Sequence, residues 1–186
     1  EPSPPEPETM YAFSEPTPVA PPPPRWPEAR VTVDGVVYTS VLNPTDGRKN
    51  YKDLITAFCW AFRDVEDATL VLKMVQGDLA RWYHPYVQML SQLAPFKCRV
   101  VALHGYLEDD EYRKMIEATT YYVNASCCEG LCLPLMEFMS CRRPAVAPDH
   151  TAMADESVAS NAFIVRGTLE HNVSPHDPRD LFRTER

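Results

Sequence analysis

The sequence predicts one α/β domain built around a mainly parallel β-sheet. The chain has 186 residues, of which 45% are apolar, and this length supports one domain of ordinary size. From residue 31 onward, short apolar runs alternate with amphipathic segments, a pattern typical of β-α-β units. The residues before this pattern have a different composition, rich in proline.

Residues 1–29 are dominated by proline and acidic residues. Such a composition favours extended chain and cannot supply a core, so we expect a poorly ordered linker here and a single domain over 30–186. The functional alternative is a proline-rich ligand for an aromatic groove, for which "PPPPRWP" is the candidate segment.

The predicted strands and helices alternate along the chain. The first strand is predicted in "VTVDGVVYTSVL" (31–42), with a hairpin at Asp34-Gly35 as the alternative. Further strands are predicted at 68–74, 99–105, 120–126, 145–148 and 162–166. Apolar residues recur at helical spacing in 50–63 and 79–93, and two shorter helices are predicted at 109–118 and 134–141.

Chemistry-bearing residues concentrate in two loops that follow strands, at 43–50 and 126–137. Loops of this kind lie at the carboxyl edge of a parallel sheet, where open α/β folds bind ligands. In "NPTDGRKN" (43–50), Gly47, Arg48 and Lys49 precede a helix, and two cations beside a helix N-terminus suit a diphosphate. An ordinary turn with exposed cations is the alternative.

The second loop belongs to "SCCEGLCLPLMEFMS" (126–140), which carries Glu129 and Glu137 within an otherwise apolar segment. We expect Gly130 to supply flexible backbone and Pro134 to occupy the first turn of the next helix. Glu129 then lies in the loop and Glu137 about one turn into the helix. Both carboxylates are able to accept hydrogen bonds from sugar hydroxyls, or else they merely favour the positive end of the helix.

Three ordered segments resemble one known family. "NPTDGRKNYKDLITAF", "HGYLEDDEYRKMIEAT" and "NASCCEGLCLPLMEFMSCRRPAVAPDHTAMAD" are similar to the nucleotide-binding half of retaining GT-B glycosyltransferases with an E-x7-E signature. The resemblance covers about residues 36–166. It implies a Rossmann-like α/β domain, one half of a GT-B fold, that binds a nucleoside-diphosphate sugar such as a UDP- or GDP-sugar.

The resemblance also implies roles for individual residues. Lys49 and Arg48 would neutralise the pyrophosphate, Glu129 would face the donor sugar, and Glu137 would hold the ribose hydroxyls. The other donor-binding candidates lie in the same loops and in "HGYL" (104–107), which would lie along the base: Gly47, Gly105, Tyr106, Gly130, Leu131, Cys132 and Leu133.

Three positions depart from the family pattern. Asn43 stands where an arginine is usual, Cys132 replaces the second glycine of the loop, and Arg142 stands where a glycine commonly ends the E-x7-E helix. A left-handed residue at Arg142 would cost on the order of 1 kcal/mol. These departures keep two alternatives open, a non-catalytic nucleotide-sugar-binding module and a sugar-nucleotide epimerase.

Composition excludes several other classes of protein. A net charge of −8 argues against a nucleic-acid partner, and no apolar run approaches the roughly 20 residues that cross a bilayer. The six cysteines have no regular spacing, so we expect reduced thiols and a cytoplasmic chain rather than disulfides. Zinc bound by the cysteines of residues 127–141 with His150 is the weaker alternative, since no C-x2-C pair exists.

The sequence thus predicts the donor half of a retaining glycosyltransferase that needs no metal or other cofactor. The departing diphosphate would be stabilised by Lys49 and Arg48. We expect the acceptor-binding domain to lie in a part of the enzyme outside these residues, and the chain alone to be inactive.

Overall fold

Six parallel strands form one sheet in the part of the chain that the structure describes. The structure is a computed structural model that describes residues 30–75, 78–157 and 159–167, so the predicted linker at 1–29 lies outside the described residues. The strands are β1 (Val36–Leu42), β2 (Ala68–Met74), β3 (Arg99–His104), β4 (Tyr121–Val123), β5 (Ala145–Pro148) and β6 (Ala162–Val165). Their order is β3-β2-β1-β4-β5-β6, and every neighbouring pair is parallel.

Helices connect successive strands, as predicted. They are α1 (Tyr51–Ala61), α2 (Tyr83–Leu93), α3 (Asp109–Ala118), α4 (Leu133–Ser140) and the short α5 (Met153–Glu156). The predicted helix at 79–93 begins as a 3₁₀ turn over Leu79–Arg81 before α2. Pro134 occupies the first turn of α4, as predicted. None of the helices within the described ranges is long and apolar enough to cross a membrane.

Two predicted strands are longer than the observed ones by more than one residue. The chain bends at Gly35, whose φ is +74°, and β1 begins only at Val36, so the hairpin alternative is wrong. A Cβ on Gly35 would lie 2.1 Å from the carbonyl oxygen of Asp67, which accepts a hydrogen bond from Val36 N at 2.7 Å. At β4, the Asn124 side chain accepts a hydrogen bond from Ser126 N at 2.8 Å and turns the chain out of the sheet.

The two faces of the sheet carry separate apolar cores. On one face, Leu70, Leu72 and Met74 of β2 pack in a cluster with residues of α1 and α2. On the other face, α3 and α4 contribute to a cluster in which Leu135 and Phe138 are fully buried. Burying a side chain of that size contributes roughly 1.5–3 kcal/mol. Helices on both faces make the fold Rossmann-like, which confirms the predicted fold class.

The centre of the sheet is the point where the chain changes direction. β1 pairs with both β2 and β4, and the connections before and after β3 run over opposite faces. The β1–β4 pairing involves only two residue pairs, Tyr38 with Tyr121 and Thr39 with Tyr122. The loops that leave the carboxyl ends of β1 and β4 therefore flank this switch point of the sheet, the usual ligand position in such sheets.

Candidate functional site at the carboxyl edge of the sheet

The two loops singled out in the sequence meet at this switch point of the sheet. Lys49 Nζ lies 2.5 Å from Glu129 Oε1, and the two side chains are 21% and 7% exposed. The backbone joins the loops as well, because Cys127 N donates a hydrogen bond to the Arg48 carbonyl at 2.8 Å. The predicted phosphate-binding cation and the predicted sugar-binding acid are therefore direct neighbours.

The loop after β1 is ordered by its own side chains. Gly47–Lys49 form a 3₁₀ turn, and the Asp46 carboxylate accepts a hydrogen bond from Arg48 N at 3.1 Å. Asn50 follows in the left-handed conformation, with φ of 49°, and α1 begins after it. The turn directs Arg48 and Lys49 toward the loop after β4. Gly47 itself adopts a backbone conformation open to any residue.

Both cations of this loop are paired with carboxylates. Arg48 contacts Asp46 at 2.6 Å and also donates to the carbonyl of Cys128 at 3.3 Å. The hydrogen bond from Arg48 lowers the pKa of Asp46. Together with the Lys49–Glu129 pair, this gives four formal charges that cancel. The sequence prediction counted only the two cations and missed Asp46 as their counter-charge.

Asn43, which stands where the family usually has an arginine, has a structural role in this loop. Asn43 Oδ1 accepts hydrogen bonds from the backbone N and the hydroxyl of Thr45, at 3.0 and 2.9 Å. These bonds close the turn that follows β1. Asn43 is thus used to shape the loop.

The loop between β4 and α4 has two exposed leucines and a buried cysteine. Leu131 and Leu133 are 57% and 54% exposed, whereas Cys132 is 3% exposed and accepts a hydrogen bond from Asn124 Nδ2 at 2.9 Å. Burial raises the pKa of the Cys132 thiol. Cys132 can therefore present only its backbone to a ligand. Gly130 does not adopt a left-handed backbone conformation, and nothing lies within 4 Å of where its Cβ would be.

Glu137 lies about one turn into α4, as predicted, and is exposed. Its Oε2 accepts a hydrogen bond from the hydroxyl of Tyr112 on α3 at 2.7 Å. Burial, followed by this hydrogen bond, raises the pKa of Tyr112. The sequence analysis missed Tyr112, because nothing in its helical spacing shows that α3 and α4 approach each other at this point.

Helix α4 ends as the departure from the family pattern predicted. Arg142 has a φ of 61°, and Arg143 N returns to the Phe138 carbonyl at 3.0 Å. This is the left-handed conformation in which glycine is usual, so the left-handed cap considered at Arg142 is present, and its cost in stability stays a prediction.

A cavity of about 380 Å³ is lined by Gly105 and Tyr106 of the predicted base-binding segment. Tyr112 also lines it, and so does Lys73 of β2, which is 4% exposed. Burial lowers the pKa of Lys73. The sequence analysis read Lys73 only as part of a buried strand. A lysine within an apolar run was the signal that could have identified it.

The alternatives based on cysteine gain no support. All six cysteines are free thiols. Across the described ranges, no group of three or more histidine, cysteine or acidic side chains is placed to hold a metal ion.

Comparisons with known proteins agree with the fold. The model of the family "Glycosyl transferases group 1" matches residues 34–183. No curated protein sequence matches the chain. Among solved structures, the C-terminal domain of a glycosyl transferase group 1 family protein (LpcC) from Francisella tularensis is similar, with a TM-score of 0.60 and 19% identity. That match covers 72% of this chain and 69% of that chain.

A second similar structure is the GtfA/B complex, with a TM-score of 0.54 and 15% identity, over 77% of this chain and 29% of that chain. At such identities the two structures show the fold alone, and the chain spans under a third of the second one. The assignment to a family is based on the family model, which matches most of the chain. The chain therefore belongs to the glycosyl transferases group 1 family.

Proposed function

We propose that this domain binds a nucleoside-diphosphate sugar and supplies the donor half of a glycosyltransferase. The observation that carries the proposal is the contact between Lys49 and Glu129, which joins the loops after β1 and β4. A cation that can meet a phosphate and an acid that can meet a sugar hydroxyl lie side by side. Glu137 follows on the next helix and is exposed.

The diphosphate would bind at Arg48 and Lys49. Phosphate oxygens are strong acceptors of charge-assisted hydrogen bonds, so they can replace the carboxylates that now contact these two cations. Arg48 presents a planar group that is able to bind two oxygens at once, whereas Lys49 acts as a point charge. Their charge would stabilise the diphosphate as it leaves the sugar.

The sugar-binding roles would fall to the two glutamates. Glu129, once separated from Lys49 by the phosphate, can accept hydrogen bonds from hydroxyls of the donor sugar. Glu137 keeps one oxygen on Tyr112 and has Oε1 available for a ribose hydroxyl. A carboxylate that is already oriented loses less side-chain entropy when it binds a ligand.

Transfer requires an acceptor held close to the anomeric carbon. Positioning of that kind can account for roughly 7–11 kcal/mol of the barrier. We propose that a second domain supplies the acceptor site, that the sugar is transferred with retention of configuration, and that no metal ion takes part. A chelator should accordingly leave donor affinity unchanged.

A non-catalytic binding module is the second candidate. The observation that favours it is that each cation of the loop already has a carboxylate partner, while Asn43 replaces a further cation. Such a module would bind the nucleotide sugar but would not support transfer when joined to an acceptor domain.

Calorimetry of the domain against UDP-, GDP- and ADP-sugars tests the proposal. We expect at least one of these donors to bind, and Lys49→Ala to weaken its binding about tenfold or more, as the loss of a charged hydrogen bond would. Lys97→Ala is the matched control, because Lys97 is exposed and pairs with Glu66 next to the turn before β2, at the amino edge. Absence of binding by every donor, or equal losses in both variants, would contradict the proposal.

A further inference from the structure

Lys73 occupies a position that is normally apolar. In the sheet register it lies between Val41 of β1 and Leu103 of β3, so the three side chains form one row on one face. Lys73 is 4% exposed. Burying a lysine among apolar neighbours costs free energy unless its charge is compensated.

The compensation that Lys73 receives is partial. Its Nζ donates a hydrogen bond to the carbonyl of Gly105 and a long one, of 3.5 Å, to the carbonyl of Met74. No ion pair to Lys73 is found in the portion of the chain that the structure describes. A lysine ammonium has three N–H donors, so these two carbonyls leave one donor unaccounted for.

Gly105 holds the backbone that contacts Lys73. Its φ of +97° is one that residues with side chains rarely adopt. The loop after β3 therefore takes a conformation suited to glycine at the point where its carbonyl meets Nζ. This arrangement keeps Lys73 at the carboxyl edge of the sheet, facing the cavity.

The cavity has the size and the lining of a small-molecule site. Val41, Val75 and Leu107 give it apolar walls, and its volume is about 380 Å³. Tyr112 lines the cavity and also contacts Glu137, so the cavity adjoins the proposed ribose position. Apolar walls with a few placed polar groups are typical of small-molecule sites.

We propose that Lys73 is a specificity-determining residue that donates a hydrogen bond to O4 of uracil or O6 of guanine, selecting these two bases over cytosine and adenine. This inference rests on the proposed function and specifies its donor. Guanine O6 and the O4 of uracil accept hydrogen bonds, whereas adenine and cytosine carry an amino group at the equivalent position. That group is a donor, which an ammonium cannot bind.

Calorimetry with UDP, GDP, ADP and CDP tests the inference on the wild type and on Lys73→Met. We expect the wild type to bind UDP or GDP about tenfold or more tightly than ADP and CDP, the contribution of one good base contact. Lys73→Met retains the volume and removes the donor, so the preference should fall to within about twofold. Lys97→Met, at the amino edge, should keep the wild-type preference.

The outcomes separate the two proposals. Absence of binding by every nucleotide would overturn the proposed function. Binding with a preference that Lys73→Met leaves unchanged, or a wild-type preference for ADP or CDP, would overturn only the role of Lys73. If circular dichroism shows that Lys73→Met is not folded, Lys73→Gln serves instead. Its amide retains a donor, and we expect a reduced preference for the same two bases, whereas an unreduced preference would overturn the inference.

Discussion

The hydroxyl of Tyr112 donates a hydrogen bond of 2.7 Å to Glu137 Oε2, linking α3 to α4 where the proposed ribose and base positions meet. We expect Glu137→Ala to weaken binding of a nucleoside diphosphate about tenfold or more, because a charged hydrogen bond to the ribose is lost. Tyr112→Phe should have a smaller effect, since the carboxylate remains but loses its orientation. Calorimetry measures both, with Tyr83→Phe on the exposed side of α2 as the control. A loss in Tyr112→Phe as large as in Glu137→Ala would contradict this order.

Substitution of Glu129 should affect the binding of a nucleoside diphosphate and of a nucleotide sugar differently. Glu129 forms an ion pair with Lys49 at 2.5 Å, and Glu129→Gln removes the negative charge from this pair. The bare nucleoside diphosphate should therefore bind to this variant at least as tightly as to the wild type. The corresponding nucleotide sugar should bind more weakly, because the acid that would contact its sugar is weakened as an acceptor. Titrations with both ligands give the comparison. A parallel loss for both would show that Glu129 does not distinguish the sugar.

Asp46 should limit the affinity for a diphosphate, since it competes for Arg48 at 2.6 Å. In Asp46→Asn the side-chain oxygen that accepts from Arg48 N is retained, so the turn stays capped while the competing charge is removed. We expect affinity for the nucleoside diphosphate to rise about two- to fivefold, the size of an exposed ion pair, and the gain to shrink in high salt. Asp110→Asn on α3 makes the same change in net charge and should have no effect. An equal gain in both variants would mean that only net charge matters.

The end of α4 offers a test of stability alone. Arg142→Gly should raise the free energy of unfolding by on the order of 1 kcal/mol, because glycine adopts the φ of 61° without strain. Arg142→Ala removes the same charge but keeps Cβ, and it should give no such gain. Urea denaturation measures both. Equal stability of the two variants would show that the backbone at Arg142 is not strained.

Lys73 should leave a signature in the pH dependence of stability. Burial lowers its pKa in the folded protein below the ordinary value of 10.5, so the unfolded chain binds more protons between those two values. This residue therefore makes stability rise with pH across that window. The cost of burying the charge is largest below the lowered pKa. Urea denaturation from pH 7 to 10.5 should show Lys73→Met gaining most at neutral pH and converging toward the wild type at high pH. A constant difference between the two proteins would contradict the burial of a charged Lys73.

Local patterns predicted the fold well because they act within short stretches of chain. The apolar run at 68–74 became β2 with its predicted bounds, and Pro134 lies in the first turn of α4 as expected. The strand predicted at 120–126 was too long because the hydrogen bond from Ser126 N to the Asn124 side chain is not visible in hydropathy.

The charged residues of the candidate site could be predicted from the sequence, but their contacts with one another could not. Arg48, Lys49 and Glu129 carry charge in two loops, and Glu137 lies in the helix that follows the second loop. The fold class alone places both loops at one edge of the sheet. Tyr112 and Asp46 act through contacts with particular partners. Which acid meets which cation depends on rotamers and on the approach of α3 to α4, and neither follows from spacing along the chain.

The short pairing between β1 and β4 affects how the candidate site forms. Only two residue pairs are in register between these strands, and Lys49 and Glu129 follow the two strands on opposite sides of this pairing, 80 residues apart along the chain. Strands β1, β2 and β3 pair with strands that follow each other along the chain. Pairing of β1 with β4 requires the long segment between them to close into a loop first. Transient parting of β4 from β1 would separate the cation from the acid while leaving each half folded. Amide hydrogens of Tyr121–Val123 should therefore exchange faster than those of β2, and a bound donor that spans both loops should slow them.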